Sequence, residues 1–204
     1  RQWISHREAV ARFKREARLL TRIAHPNVLR VKNFGRYGST YFIAMDLLEG
    51  GRLRDVMDRS PQMSVHEAIA MLIQVLAGLT AIHDEDIVHR DLKPANIIIQ
   101  PQGDPMILDF GLAVDLGADT ELRLTEEGQV LGTPYYMAPE QVEGRISKIE
   151  RRTDVYALGV LLYELLTLRL PFYHSSREVL FGRIVRGKPT PPRSLNTFIS
   201  RDLE

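Results

Sequence analysis

Three short polar motifs, in one order and at fixed spacing, constrain this chain more than any other feature. The first is His89-Arg90-Asp91-Leu92-Lys93-Pro94-Ala95-Asn96. Asp109-Phe110-Gly111 follows eighteen residues after Asp91, directly behind the strand-like run Met106-Ile107-Leu108. Glu140 comes thirty-one residues after Asp109 and closes Gly132-Thr133-Pro134-Tyr135-Tyr136-Met137-Ala138-Pro139-Glu140. Taken singly, each has an ordinary explanation. Asp-Phe-Gly is a common turn, and a lone aspartate is usually a surface carboxylate. A block of eight such residues with two further motifs behind it is not explained that way.

The segments around the motifs read as a helix, two strands and then a mostly helical remainder. Val10, Phe13, Ala17, Leu20 and Ile23 recur at helical spacing, and His25-Pro26-Asn27 stops that helix because a residue before proline leaves helical space. Strand-like runs at 28–33 and 41–46 flank the turn Gly35-Arg36-Tyr37-Gly38, and Glu49-Gly50-Gly51 reads as a hinge between two lobes. Ser64 with Glu67 forms a capping-box pattern, which predicts a helix from 64 to about 83 with Ile69, Leu72, Ile73, Leu76 and Leu79 on its inner face. Short β-type runs at 97–99 and 106–108 follow. Residues 111–132 are a long polar loop, a kind that is usually functional. The stretch 154–168 is apolar on nearly every face and predicts a helix buried on all sides. A last helix is expected at 176–185, before the turn-rich Pro189-Thr190-Pro191-Pro192.

Composition narrows the function classes. With 44% apolar residues in 204, one sizeable core is available, and no repeat or linker divides it. Lys and Arg number 27 against 26 Asp and Glu, so no global field draws the chain to nucleic acid. Cysteine is absent, which removes disulfides, thiolate zinc sites and cysteine nucleophiles, and fits a reducing compartment; a cytoplasmic location is expected. The longest wholly apolar run, 155–163, falls far short of the ~20 residues of a membrane helix, so no membrane segment is expected within the chain.

On the three motifs, and over residues 13–203, the sequence resembles the eukaryotic-type serine/threonine protein kinases. The compact, insert-free layout and the Asn-Ile-Ile-Ile run point to bacterial members. The resemblance implies an α+β, two-lobed, protein-kinase-like fold. Residues 1–48 would be the remnant of the small β-lobe (the mobile helix, two strands and the hinge), and 49–204 a mostly helical large lobe lacking its last helices. It implies ATP and Mg²⁺ as cofactors and protein Ser/Thr hydroxyls as acceptors. Phosphoryl transfer asks for positioning and charge neutralisation more than covalent work. By the resemblance Asp91 orients the attacking hydroxyl and takes its proton, Lys93 steadies the transferring phosphate, and Thr133 tethers its loop to Asp91. Asn96 and Asp109 supply the oxygen ligands that hard Mg²⁺ favours.

Other positions carry over in the same way. Glu16 is the ion-pairing glutamate of the mobile helix, against a solvated charge as the plain reading. Met45 guards the pocket behind the adenine, Asp46 and Leu48 offer it backbone hydrogen bonds, and Ile98 lies beneath it, although an apolar strand residue is core by default. Leu20, Val31, His89 and Phe110 resemble the apolar column that aligns the lobes, with Asp154 at its foot or serving as a helix cap. Arg90 marks the class organised by a phosphate on the activation segment, for which Thr125 is preferred over Thr120. Arg52 and Ala95 stand where glutamates would demand an upstream arginine, so no such requirement is expected. The chain departs from the family in having no G-x-G-x-x-G and, in its first 32 residues, only Lys14 and Lys32 as lysines. It is therefore expected to be a piece of a longer protein, inactive on its own. The alternatives are a pseudokinase scaffold that binds ATP without turnover and, more weakly, a small-molecule phosphotransferase.

Overall fold

The computed structural model describes residues 17–38, 40–59, 63–108 and 134–204. Glu16, Asp109, Phe110, Thr120, Thr125 and Thr133 lie outside the described residues, as do residues 111–132, where the sequence predicts a loop.

Residues 17–20 are helical, and Ala17, Leu20 and Ile23 are buried. The stop at His25-Pro26-Asn27 is anchored through Asn27 to distant segments of the chain. Asn27 Nδ2 donates to Pro105 O at 2.8 Å and to Gln74 Oε1 at 3.2 Å, while Asn27 O accepts from Ile107 N at 2.8 Å. Gly78 makes this approach possible, since a Cβ there would lie 2.9 Å from Asn27 O.

Strand β1, Val31–Tyr37, pairs antiparallel with β2, Thr40–Met45, in a register running from Val31↔Met45 to Tyr37↔Thr40. Both strands are displaced from the expected positions. Residues 28–30 leave the hairpin because Val28 bridges Ile107 in parallel and Leu29 N donates to Ile107 O at 2.9 Å. The expected turn at Gly35 to Gly38 is mostly strand. Arg36 faces Tyr41 across the ladder, its guanidinium 5.7 Å from the ring centroid, and that cross-strand pair carries the pairing out to the tip.

A second antiparallel sheet joins β3 (Gly51–Arg52), β4 (Ile97–Ile99) and β5 (Pro105–Ile107), in that order. The expected break at Glu49-Gly50-Gly51 is narrower than the sequence implies, since Gly51 pairs with Ile99. Gly50 has φ +127°, and a Cβ there would sit 2.2 Å from Ile99 O, so no other residue lets the chain enter β3.

Helix α1, Leu53–Arg59, leads to α2, Val65–Asp84. The capping box forms as expected: Glu67 N donates to Ser64 Oγ at 3.2 Å, and Ser64 N donates to Glu67 Oε2 at 2.9 Å. The inner face is rotated from the expected one. Ala68, Met71, Leu72, Val75, Gly78, Leu79 and Ile82 are buried, whereas Ile73 and Leu76 are exposed. Packing against β5 and α4 selects the face, and the apolar surplus on α2 leaves periodicity alone unable to choose it. By length and composition α2 could also cross a membrane, with mean hydropathy 1.7. Here it is the central helix of the main core cluster.

Helix α3, Pro139–Val142, is one turn long. Helix α4, Arg151–Thr167, starts three residues before the expected position and is not buried on all sides: Val155 is 55% exposed, and Gly159 is exposed too. Its inner stripe, Asp154, Ala157, Val160, Leu161 and Leu165, faces the core. Helix α5, Arg177–Arg186, is capped by Ser176 and ends at Gly187, close to the expected bounds. Phe172, Leu180 and Ile184 form a satellite cluster there with Tyr135, Val142, Tyr156 and Phe181, which seats the segment around α3.

Candidate active site

The loop 89–96 links α2 to β4, and its shape is set from beneath by one carboxylate. Asp154 is 1% exposed. Its Oδ2 accepts from His89 N at 2.8 Å and meets His83 Nε2 at 2.7 Å, while its Oδ1 accepts from Arg90 N at 2.8 Å. A buried carboxylate is tolerated only with such a set of donors. Because α4 begins at Arg151, Asp154 does not cap it; Glu150 N instead donates to Thr153 Oγ1 at 3.2 Å. Arg90 adopts φ +68°, in the left-handed region. The turn reverses the chain and presents Asp91 outward.

His89 is fully buried, and its ring fixes the next connection. Nε2 donates to Leu108 O at 2.8 Å, which leaves Nδ1 as the acceptor facing Asp91 N at 3.4 Å. Leu108 N donates in turn to Asn96 O at 2.9 Å. The backbone at 96 is thereby joined to the residue that precedes Asp109.

Three expected site residues converge on one point. Asn96, at the end of a 3₁₀ turn over Pro94–Asn96, donates from Nδ2 to Asp91 O at 2.8 Å and to Asp91 Oδ2 at 3.0 Å. Lys93 Nζ donates to Asp91 Oδ1 at 3.0 Å and Oδ2 at 2.7 Å. The Asp91 side chain is 54% exposed, so a carboxylate steadied by two donors still faces solvent. With its nitrogen committed to Asp91, Asn96 keeps Oδ1 for another partner, and an amide oxygen suits a hard divalent cation. Among the described residues no group of three or more His, Cys, Asp or Glu could hold a metal.

The expected nucleotide residues lie at the end of β2, in the segment after it and in β4. Met45 ends β2 and is 45% exposed. Asp46 N is already taken by Arg30 O at 3.2 Å, and its carboxylate by Lys32 at 2.5 Å, so only its carbonyl remains for a ligand. Leu48 is half-buried. In β4, Ile97 belongs to the core while half-buried Ile98 alternates to the other face, which is the face a ligand could reach. Leu20, Val31 and His89 are all buried.

A family model described as protein kinase domain matches residues 2–197. The chain belongs to the protein kinase family. Among its relatives, it is 44% identical over 164 residues to the serine/threonine-protein kinase pkn2 of Myxococcus xanthus (79% of this chain, 19% of that protein). It is 38% identical over 195 residues to pkn3 of the same organism (93% and 35%). It is 35% identical over 197 residues to PrkC of Bacillus subtilis (97% and 30%). The chain thus spans only about a third or less of those relatives' own lengths.

Beyond the residues the sequence singles out, this kinase chain holds a buried charge cluster under the segment after Thr133. Arg54 Nη1 meets Glu164 Oε1 at 2.8 Å, and Tyr136 Oη donates to Glu164 Oε2. Burial, together with the hydrogen bond to Glu164, drives the Tyr136 phenol well above its ordinary value. Burial, with Glu140 alongside, also pushes Tyr156 up to about 12. A raised tyrosine value means the neutral phenol stabilises the fold fully below its ordinary value of 10 and loses that contribution as the pH climbs above it. Tyr136→Phe is therefore expected to cost about 1–3 kcal/mol at pH 7. It should also flatten the fall in stability above pH 10. Urea midpoints from pH 7 to 11 check both. The only sequence signal for this cluster was a glutamate ending the apolar run 155–163. His83 and Gln141 carried no signal, since a histidine near a helix end and a glutamine after a Pro-Glu pair read as surface residues.

Proposed function

We propose that this chain is the catalytic core of a serine/threonine protein kinase that moves the terminal phosphoryl group of ATP to Ser or Thr hydroxyls of proteins. The observation that carries the reading is the solvent-facing Asp91 carboxylate held by Lys93 Nζ and Asn96 Nδ2. Asp91 orients the acceptor hydroxyl and takes its proton as the oxygen attacks phosphorus and the bond to ADP breaks. Lys93, already beside Asp91, is placed to neutralise charge on the group in transit. Asn96 Oδ1 and Asp109 would hold Mg²⁺, which supplies charge neutralisation along the phosphates. Met45, the Asp46 carbonyl, Leu48 and Ile98 form the adenine side; Glu16 and Thr133 are assigned their family roles, and the location is cytoplasmic. The three relatives described above, all serine/threonine-protein kinases, support a protein acceptor over a metabolite.

The test is label transfer from γ-labelled ATP by the full-length gene product, offered Ser/Thr peptides in parallel with small hydroxylated metabolites. Phosphoserine or phosphothreonine on peptides, with no dominant upstream arginine in the preferred sequences, is the expected outcome. ATP binding without transfer to any acceptor would favour the pseudokinase reading.

A further inference from the structure

The backbone of Arg90 is held at both its N–H and its carbonyl, and only the N–H side belongs to the scaffold described above. Arg90 N is fixed by Asp154 Oδ1 at 2.8 Å. Arg90 O accepts from Gln141 Nε2, also at 2.8 Å, from a residue fifty-one positions away. The other end of the same amide is engaged as well: Gln141 Oε1 accepts from Ala138 N at 2.9 Å, at the start of α3. The orientation of the amide is forced, because a carbonyl needs the NH₂ and a backbone N–H needs the oxygen.

We infer that Gln141 is a positioning residue for phosphoryl transfer: its carboxamide locks the left-handed Arg90 backbone, and through it the carboxylate of Asp91, to helix α3. A non-glycine residue at φ +68° is sterically disfavoured and persists only when its surroundings over-determine it. Asp154 below and Gln141 above do so on either side of one residue, immediately before Asp91. Neither bond is made by a side chain that touches the reacting atoms. Gln141 acts through backbone, and it does so from α3, one residue beyond Glu140, whose Oε1 accepts from Thr153 Oγ1 at 2.6 Å. A shift of α3 on α4 and α5 would therefore be felt at Asp91.

The inference rests on the kinase reading, and one substitution separates positioning from simple capping. Glutamate at position 141 keeps the acceptor for Ala138 N and suits the third residue of a helix, so Gln141→Glu leaves the α3 cap intact. It removes the donor to Arg90 O and sets a carboxylate against that carbonyl. In the full-length gene product, Gln141→Glu is expected to keep its melting temperature within about 2 °C. It should lower kcat for peptide phosphorylation at least about tenfold, with KM for ATP changed less than about twofold. Hydrogen exchange of the peptide covering 89–92 should quicken while exchange within α4 does not change. Gln141→Met, which loses both bonds, should show the same kcat loss together with a lower melting temperature. Wild-type kcat and unchanged exchange at 89–92 in Gln141→Glu would overturn the inference, and so would a melting temperature lowered as far as in Gln141→Met. If the wild-type protein phosphorylates nothing, the kinase reading fails, and the exchange measurement still decides whether Gln141 holds the loop.

Discussion

Asp91→Asn is expected to abolish most phosphoryl transfer while leaving the fold in place. The substitution preserves shape but removes both the proton acceptor and the negative charge that Lys93 and Asn96 surround. Loss of a positioned general base lowers kcat by about 10²–10⁴-fold. Stability should barely move, because the Asp91 side chain is 54% exposed and such an exposed pair with lysine contributes about 0–1 kcal/mol. Steady-state kcat on a peptide substrate, measured beside a thermal melt, checks both halves. A collapse in activity accompanied by an equal collapse in stability would mean that Asp91 serves the loop rather than the reaction.

Asp154→Ala is expected to give the opposite pattern. It deletes the acceptor of His89 N, Arg90 N and His83 Nε2 together, in a place that water does not reach. Stranding several buried donors costs about 3–5 kcal/mol, a large part of a domain's net stability. Asp154→Asn keeps one acceptor oxygen and should fall between wild type and alanine. Urea denaturation of the three proteins measures the series, and the folded fraction of either variant should also be a poorer catalyst because Arg90 loses its lower tether. An alanine variant as stable as wild type would show that the loop 89–96 is held by other contacts.

Much of this arrangement was legible in the sequence wherever a local rule decides the outcome. Ser64 with Glu67 fixes the start of α2 because a capping box is completed within four residues. The β-branched run at 97–99 is a strand for the same local reason. The block 89–96 stands out by residue type, and the structure adds how the block is built: a 3₁₀ turn that swings Asn96 back onto Asp91, and a left-handed Arg90 that lifts Asp91 outward.

Legibility ends where long-range packing chooses between local options. Ile73 and Leu76 fit a helical stripe as well as Met71 and Val75 do, and only the positions of β5 and α4 settle which face goes inward. Asp154 fits a cap position until α4 is seen to start at Arg151. Gln141 could not be singled out, because its two partners, at 90 and 138, meet only in the folded chain. The Arg54–Glu164–Tyr136 cluster is assembled the same way, from three segments more than a hundred residues apart at their extremes.

The most direct measurement is a crystal structure of the full-length gene product with Mg²⁺ and a non-hydrolysable ATP analogue. A metal bound jointly by Asn96 Oδ1 and the Asp109 carboxylate, on the phosphates, with Asp91 facing the terminal one, is the expected result. A nucleotide seated away from the loop 89–96, or a metal that Asn96 and Asp109 do not share, would contradict it.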